Sequence, residues 1–405
     1  MPSYPKNYPF YSWMPKPLGI IILLFFFLPI LTVGGVYSVN STEMMSGLGI
    51  ISEHIQFANF VTSIGMAAFA PFLYQLVCVR REKMMCIVGF AFMYIFSYIC
   101  AKTDSVFLLA LCSLLTGFLR MVLMMVNLFT LIWYAGGMEA TRNITPGLEP
   151  KDASGWNKLD IDRCVSQPAV YLFFMILGQS GTALTAWLSF EYEWKYVYYF
   201  MMGILLVSIL LLFITMPNYK FPGRFPINFR KFGNVTAFCI SLTCLTYVLV
   251  YGKVLDWYAD ESIRWATAVS ILFAGVFLYM DARRRSPYVL LDAFKLRTIR
   301  MGALLYLLLM VINSSAMFVN VFAGVGMHID NLQNAALGNW CMVGYAIGAV
   351  LAMALGSKGL HFKYLFAMGF FFLSLSAVFM YFEVQTAGVY ERLKYAVIIR
   401  ATGMM

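Results

Sequence analysis

The amino-acid sequence predicts an all-α polytopic membrane protein. Three observations carry this: the chain is too apolar and too poor in charge to face water, its apolar runs are long enough to cross a bilayer, and the segments between them are basic on alternate sides. Of its 405 residues 61% are apolar and 12% charged, against about 25% charged in an ordinary soluble domain. Backbone groups in lipid must find their partners within their own segment, so long apolar runs mean helices. The two-residue alternation of an outer-membrane barrel is absent. Aromatic residues, at 17%, suit the belts that form at membrane interfaces.

The runs place spans at 17–39, 55–77, 84–101, 106–135, 168–190, 196–216, 235–252, 263–280, 301–326, 334–355 and 364–382. Each is about as long as the roughly 20 residues a crossing needs. That makes about 11 complete transmembrane helices, and a twelfth begins near Tyr395. The first run is longer than a signal-peptide core and lacks a small-residue cleavage site after it, so it reads as a span. Three stretches read as polar segments on one side: 136–166, 217–234 with Pro217, Pro222 and Pro226, and 281–300 with the run Arg283, Arg284, Arg285.

Charge sets the orientation. With the N-terminus inside, the inner segments hold most of the Lys and Arg, including Arg80, Arg81, Lys83, Lys220, Arg224, Arg283, Arg284 and Arg285. The outer segments hold only Lys102, Lys195, Lys253, Arg264, Arg392 and Lys394. The net charge of +10 is therefore a topology signal, and no nucleic-acid partner is read from it. The eight cysteines, at 78, 86, 100, 112, 164, 239, 244 and 341, are scattered singly. They suggest neither a metal site nor a disulfide framework, and no cofactor is expected.

Three segments carry a family resemblance. EYEWKYVYYFMMGILL, 191–206, YGKVLDWYADESI, 251–263, and MDARRRSPYVLLDAFKLRTIR, 280–300, resemble in order and spacing the fourteen-helix drug:proton antiporter branch of the major facilitator superfamily. The first resembles the Trp–basic–aromatic start of helix six. The second resembles the loop between two extra helices, and the third the segment leading into the second bundle. Elsewhere the chain departs from the family pattern. FLYQLVCVRREK, 72–83, keeps Arg80 and Arg81 without the family's glycines and Asp. Val33 stands near a family Asp, Ser113 stands where an Arg is expected four residues before Gly117, and GTALTAW, 181–187, keeps one glycine of its motif.

The resemblance implies major-facilitator-type helical bundles: 1–216 an N-terminal six-helix bundle, 217–300 two inserted helices with a basic cytoplasmic link, and 301–405 an incomplete C-terminal bundle. RATG at 400–403 resembles the opening of that family's twelfth helix, so a C-terminally truncated member is expected. The resemblance also implies a secondary transporter in the bacterial cytoplasmic membrane. Its expected role is multidrug-resistance-type efflux of small amphiphilic molecules, as an antiporter coupled to H+, with a small-molecule substrate and the lipid bilayer as partners.

Polar residues within spans are costly and tend to be functional. Arg120 is foremost, since a central Arg costs about 2.5–3.5 kcal/mol on insertion scales. It shares a helical face with Ser113, Thr116, Gly117, Asn127 and Thr130, which recur at spacings of three and four. It reads either as a cavity charge or as a structural Arg bonded to backbone carbonyls. Gln179, Asn313, Asn320 and Asn339 read as cavity-lining or interhelical groups. No Asp or Glu falls within the limits drawn for any span. Glu43, Glu53 and His54 at one outer position, and Asp330 with His328 at the matching one, are the coupling candidates, or else solvated loop residues. Gly344, Gly348, Ala352 and Gly356 form a small stripe for close helix packing. An enzyme would need grouped titratable residues, and the histidines 54, 328 and 361 stand apart. The alternative to a transporter is a non-transporting relic or scaffold of the same fold.

Overall fold

The computed structural model describes residues 9–32, 44–45, 47, 49–69, 72, 81–103, 105–142, 158–218, 230–283, 294–314, 319, 322–323, 327, 329–358, 362–385 and 390–405. Among these the chain is all-α, with no strand. Its helices are α1 (Lys16–Thr32), α2 (Ser52–Ala68), α3 (Glu82–Lys102), α4 (Val106–Arg142), α5 (Lys158–Glu191), α6 (Trp194–Thr215), α7 (Arg230–Tyr251), α8 (Glu261–Ala282), α9 (Arg297–Ser314), α10 (Asn331–Ser357), α11 (Phe362–Gln385) and α12 (Tyr390–Met404). The first eleven overlap the apolar runs, and α12 covers the place where the twelfth begins. Eight of them are long and apolar enough to cross a membrane, and α1 is a shorter apolar helix. Large apolar side chains point outward: Ile214, Leu249, Trp265, Ile271 and Phe371 are each more than half exposed. Water would penalise such a surface and hydrocarbon would not. This is the architecture of an integral membrane protein.

The stretch 136–166 is partly helical rather than a loop throughout. At 37 residues and 1.5 Å per residue, α4 is about 55 Å long, well beyond the roughly 30 Å of hydrocarbon. The i to i−4 ladder continues into polar sequence because its bonds are local and indifferent to the surrounding medium. The same effect starts α7 at Arg230 and α9 at Arg297, inside the polar stretches 217–234 and 281–300.

The chain contacts divide the chain into two compact units, 1–138 with 188–290 and 139–187 with 291–405. These cuts at 138, 187 and 290 contrast with the sequence boundaries at 216 and 300. In the first unit α3 packs on α6, α1 on α6, and α7 on both α8 and α2. Phe26 of α1 meets Phe90 of α3, ring centroids 6.0 Å apart. Lys83 caps the end of α6: its Nζ donates to Met216 O at 2.6 Å and Phe213 O at 3.1 Å. A cation at a helix C-terminus also meets the negative end of the dipole. In the second unit α12 packs against α10 and α11.

α7 and α8 form an antiparallel hairpin closed at three levels. Asn234 Nδ2 donates to Asp281 Oδ1 at 3.0 Å. Ser241 and Ser270 each donate a hydroxyl to the other's carbonyl, both at 2.9 Å. Val248, Tyr251 and Ile263 make an apolar cluster at the far end. The connecting loop is tight, with Asp256 and Trp257 at φ 49° and 53°. Asp260 then caps α8 by accepting from Ser262 N at 2.6 Å, and the Ser262 hydroxyl, together with that backbone bond, holds its carboxyl below the usual carboxylate range. The double substitution Ser241→Ala with Ser270→Ala is expected to lower the stability of the detergent-solubilised protein by about 1–2 kcal/mol, as two modest interhelical bonds would. Thermal unfolding measures it. An unchanged midpoint would mean that apolar contacts alone hold the hairpin.

Candidate functional site

The polar face of α4 lies in the interior of the first unit. Ser113, Thr116, Asn127 and Thr130 are all buried, as spacings of three and four around an apolar helix require. Several of them satisfy their polarity within their own helix. Ser113 Oγ donates to Leu109 O at 2.7 Å, Asn127 Nδ2 to Leu123 O at 2.9 Å, and Thr130 Oγ1 to Val126 O at 2.8 Å. Asn127 Oδ1 also accepts from Cys86 Sγ at 4.0 Å.

Arg120 differs from these neighbours. Its side chain is part-buried, and among the described residues its hydrogen bond runs from Nη2 to Leu31 O of α1 at 3.4 Å. That distance is beyond the 2.7–3.2 Å or so of a good N–H···O bond. Its Nε is buried and has no hydrogen-bond partner. Among the described residues no carboxylate pairs with it. A guanidinium carries five donors in a planar fork, and the described residues satisfy one of them.

The coupling candidates separate. Glu43 and His328 lie outside the described residues. Glu53 accepts from Ser52 Oγ at 3.0 Å. His54 Nδ1 is hydrogen-bonded to the hydroxyl of Tyr251, and the two rings lie 5.4 Å apart. Phe57 and Tyr247 complete an aromatic cluster around Tyr251. His54 is therefore the joint between α2 and α7. Asp330 is exposed ahead of α10, where its carbonyl accepts from Asn334 N at 2.9 Å.

In the second unit the amide of Gln179 lies against Gly338 of α10, 3.0 Å from where a Cβ would stand. Asn339 is half-buried, and its Oδ1 has no hydrogen-bond partner. Asn313 is on α9 with its side chain outside the described part, and Asn320 is outside it altogether. The small stripe of α10 packs on α12. A Cβ on Gly344 would stand 2.5 Å from Ala401 Cβ, and one on Gly348 would stand 2.6 Å from Thr402 O. Thr402 Oγ1 donates to Gly344 O at 3.2 Å. Gly356 is buried, whereas Ala352 faces a cavity. This cavity, about 600 Å³, is apolar and is walled by Tyr171, Tyr306, Leu309, Gly369, Phe370 and Met404 among others.

No family model matches this chain, and no curated protein matches it.

The structure adds residues that sequence reasoning passed over. Arg400 of α12 is part-buried. Its Nη2 lies 3.8 Å from Cys341 Sγ, its Nη1 has no hydrogen-bond partner, and Tyr345 is within electrostatic reach. The signal is in the sequence: the arginine of RATG, 400–403, directly follows the apolar stretch 396–399. Asp281 and Glu383 are buried acids at 4% and 6% exposure. They fell just outside the span limits 263–280 and 364–382, and helices that run on to 282 and 385 take them in. No group of three or more metal-ligating side chains occurs among the described residues.

Proposed function

We propose that this chain is a secondary active transporter of the major facilitator superfamily. On this reading it works by alternating access and exports small amphiphilic molecules across the cytoplasmic membrane in exchange for protons. The observation that supports it most is Arg120, a part-buried cation in an apolar unit, with a buried Nε that has no hydrogen-bond partner and no carboxylate beside it among the described residues. An unpaired buried charge is expensive. A fold retains one when a ligand compensates it in some state of the cycle. Arg400 offers the same chemistry in the second unit.

The charge points to the substrate class. A lone guanidinium repels lipophilic cations and grips carboxylates or sulfonates through its fork, so neutral or anionic amphiphiles are the expected cargo. Proton coupling requires a group that gains and loses a proton during the cycle. His54, held by Tyr251 beside Glu53, and Asp281, held by Asn234, are the titratable groups best placed for it. Each sits on a junction between two helices that a rocking motion would strain. The six-helix N-terminal bundle with an inserted pair, and the cytoplasmic N-terminus, belong to the same proposal.

The alternative, a scaffold of the same fold, draws support from Ser113, Asn127 and Thr130, each of which donates a hydrogen bond to a carbonyl of its own helix. The two readings separate in inverted vesicles from cells expressing the intact gene. Export predicts uptake of carboxyfluorescein above the vector control, abolished by a protonophore. If neither carboxyfluorescein nor ethidium moves above the control, the transport reading fails and the scaffold stands.

A further inference from the structure

We infer that the cavity of the second unit holds an anionic glycerophospholipid, its acyl chain inside and its phosphate among the basic residues at the same end of the helices. The inference stands apart from transport and needs only an integral membrane protein. The cavity lies where α9 and α11 begin and where α10 and α12 end. Gly302 on its wall is the sixth residue of α9, and Leu365 the fourth of α11. Ala352 stands five residues before the end of α10, and Gly403 one before the end of α12.

The wall selects an acyl chain. Its volume of about 600 Å³ is in the range of roughly 300–1,000 Å³ typical of small-molecule sites. Among the described residues that line it, only Tyr171 and Tyr306 carry a polar side chain. Tyr171 of α5 and Phe366 of α11 are 43% and 56% exposed, so the cavity reaches the surface between them. Both helices are long and apolar enough to cross a membrane, and the surface of such helices faces lipid. Packed interiors leave few voids larger than a water molecule, and this one opens where hydrocarbon tails are the solvent.

Charge selects the lipid. Arg300 precedes Gly302 by two residues, Lys363 precedes Leu365 by two, and Lys358 follows Ala352 by six. At 1.5 Å per residue these cations stand about 3, 3 and 9 Å along their helices from the cavity wall. Arg297 opens α9 at the same end, and all four side chains are exposed. The described acidic side chains of this unit stand at the other end: Asp330 precedes α10, Glu383 is near the end of α11, and Glu391 is in the first turn of α12. Basic residues at helix ends are ordinarily topology anchors. Here they adjoin an apolar cavity, and the pair of features matches the two parts of one molecule, as in other basic pockets between transmembrane helices. A zwitterionic lipid offers the same tail but carries its own cation beside the phosphate.

The experiment incubates the purified full chain in neutral detergent with phosphatidylglycerol or phosphatidylcholine of matched chains. Native mass spectrometry reads the retained lipid, and thermal unfolding reads the midpoint. Phosphatidylglycerol should be retained about tenfold or more in preference, and it alone should raise the midpoint. Arg300→Gln with Lys363→Gln should remove most of that preference, at about fivefold per charge. Gly302→Phe should block both lipids, since a Cβ there meets nothing within 4 Å and the ring takes the cavity's space. Gly275→Phe on α8, at an equally open position, should retain phosphatidylglycerol. Equal retention of the two lipids by the unsubstituted chain overturns the inference, and that comparison needs no variant to fold. So does undiminished phosphatidylglycerol in Gly302→Phe, which would mean headgroup binding without the cavity. A midpoint raised as far by glycerol 3-phosphate alone overturns it too, since the site would then be one for free phosphate.

Discussion

Arg120→Gln is expected to cut export of an anionic amphiphile about tenfold or more, the effect of losing a charged hydrogen bond of about 1.5–3 kcal/mol, while making the protein more stable. The two signs together are the test. Arg120 makes one long bond to Leu31 O and leaves Nε without a partner, so the folded protein recovers little of what it costs to hold the guanidinium away from water. Removing that charge from an apolar helix should return some of the roughly 2.5–3.5 kcal/mol that insertion scales assign to it. A structural arginine behaves in the opposite way: its loss destabilises the fold and leaves selectivity alone. Arg120→Lys keeps the charge and loses the fork, so it should retain repulsion of cations while binding anions poorly. Rates for carboxyfluorescein and ethidium, set beside thermal midpoints of the purified variants, decide the matter. If both variants export at the original rates, Arg120 has no part in transport.

Gly117→Ala and Gly65→Ala are each expected to destabilise the first unit by about 1–3 kcal/mol or more, as overpacking does. The same change at Gly203 or Gly275 should stabilise by a fraction of the roughly 1 kcal/mol that separates Ala from Gly in a helix. The contrast comes from what each new methyl would meet. On Gly65 of α2 it would run into the carbonyl of Leu114 and stand 3.0 Å from Phe118 N, and on Gly117 of α4 it would run into the carbonyl of Thr62. These two glycines face each other's helix at one crossing, where backbone touches backbone and no side chain can swing aside. Around Gly203 of α6 and Gly275 of α8 nothing lies within 4 Å. Small residues are what permits such approach in a membrane, where lipid tails remove the hydrophobic drive between helices. Size-exclusion profiles and melting in detergent give the measurement. A tolerated Gly117→Ala would mean that α2 and α4 can part at little cost.

Some of this was legible in the chain alone. Apolar runs became helices because a helix satisfies its backbone within itself, so each run could be judged without knowing its neighbours. The buried face of α4 followed from spacing, because Ser113, Thr116, Gly117, Asn127 and Thr130 share one side of any helix they form. The limits of the runs were less certain, and for that reason Asp281 and Glu383 escaped notice. Hydropathy ends where polar residues begin, but the hydrogen-bond ladder does not.

Which helix meets which was decided by tertiary structure. His54 and Tyr251 are 197 residues apart, and no periodicity in either segment announces the other. Most of α5 groups with α9 to α12, although α6, which follows it in sequence, and most of α4, which precedes it, belong to the first unit. The physical reason is common to both. Apolarity commits a segment to a helix in lipid, but every such helix is equally content against lipid or against another. The choice of partner then rests on close contacts at glycines and a few interhelical hydrogen bonds, and these exist only once the two surfaces meet.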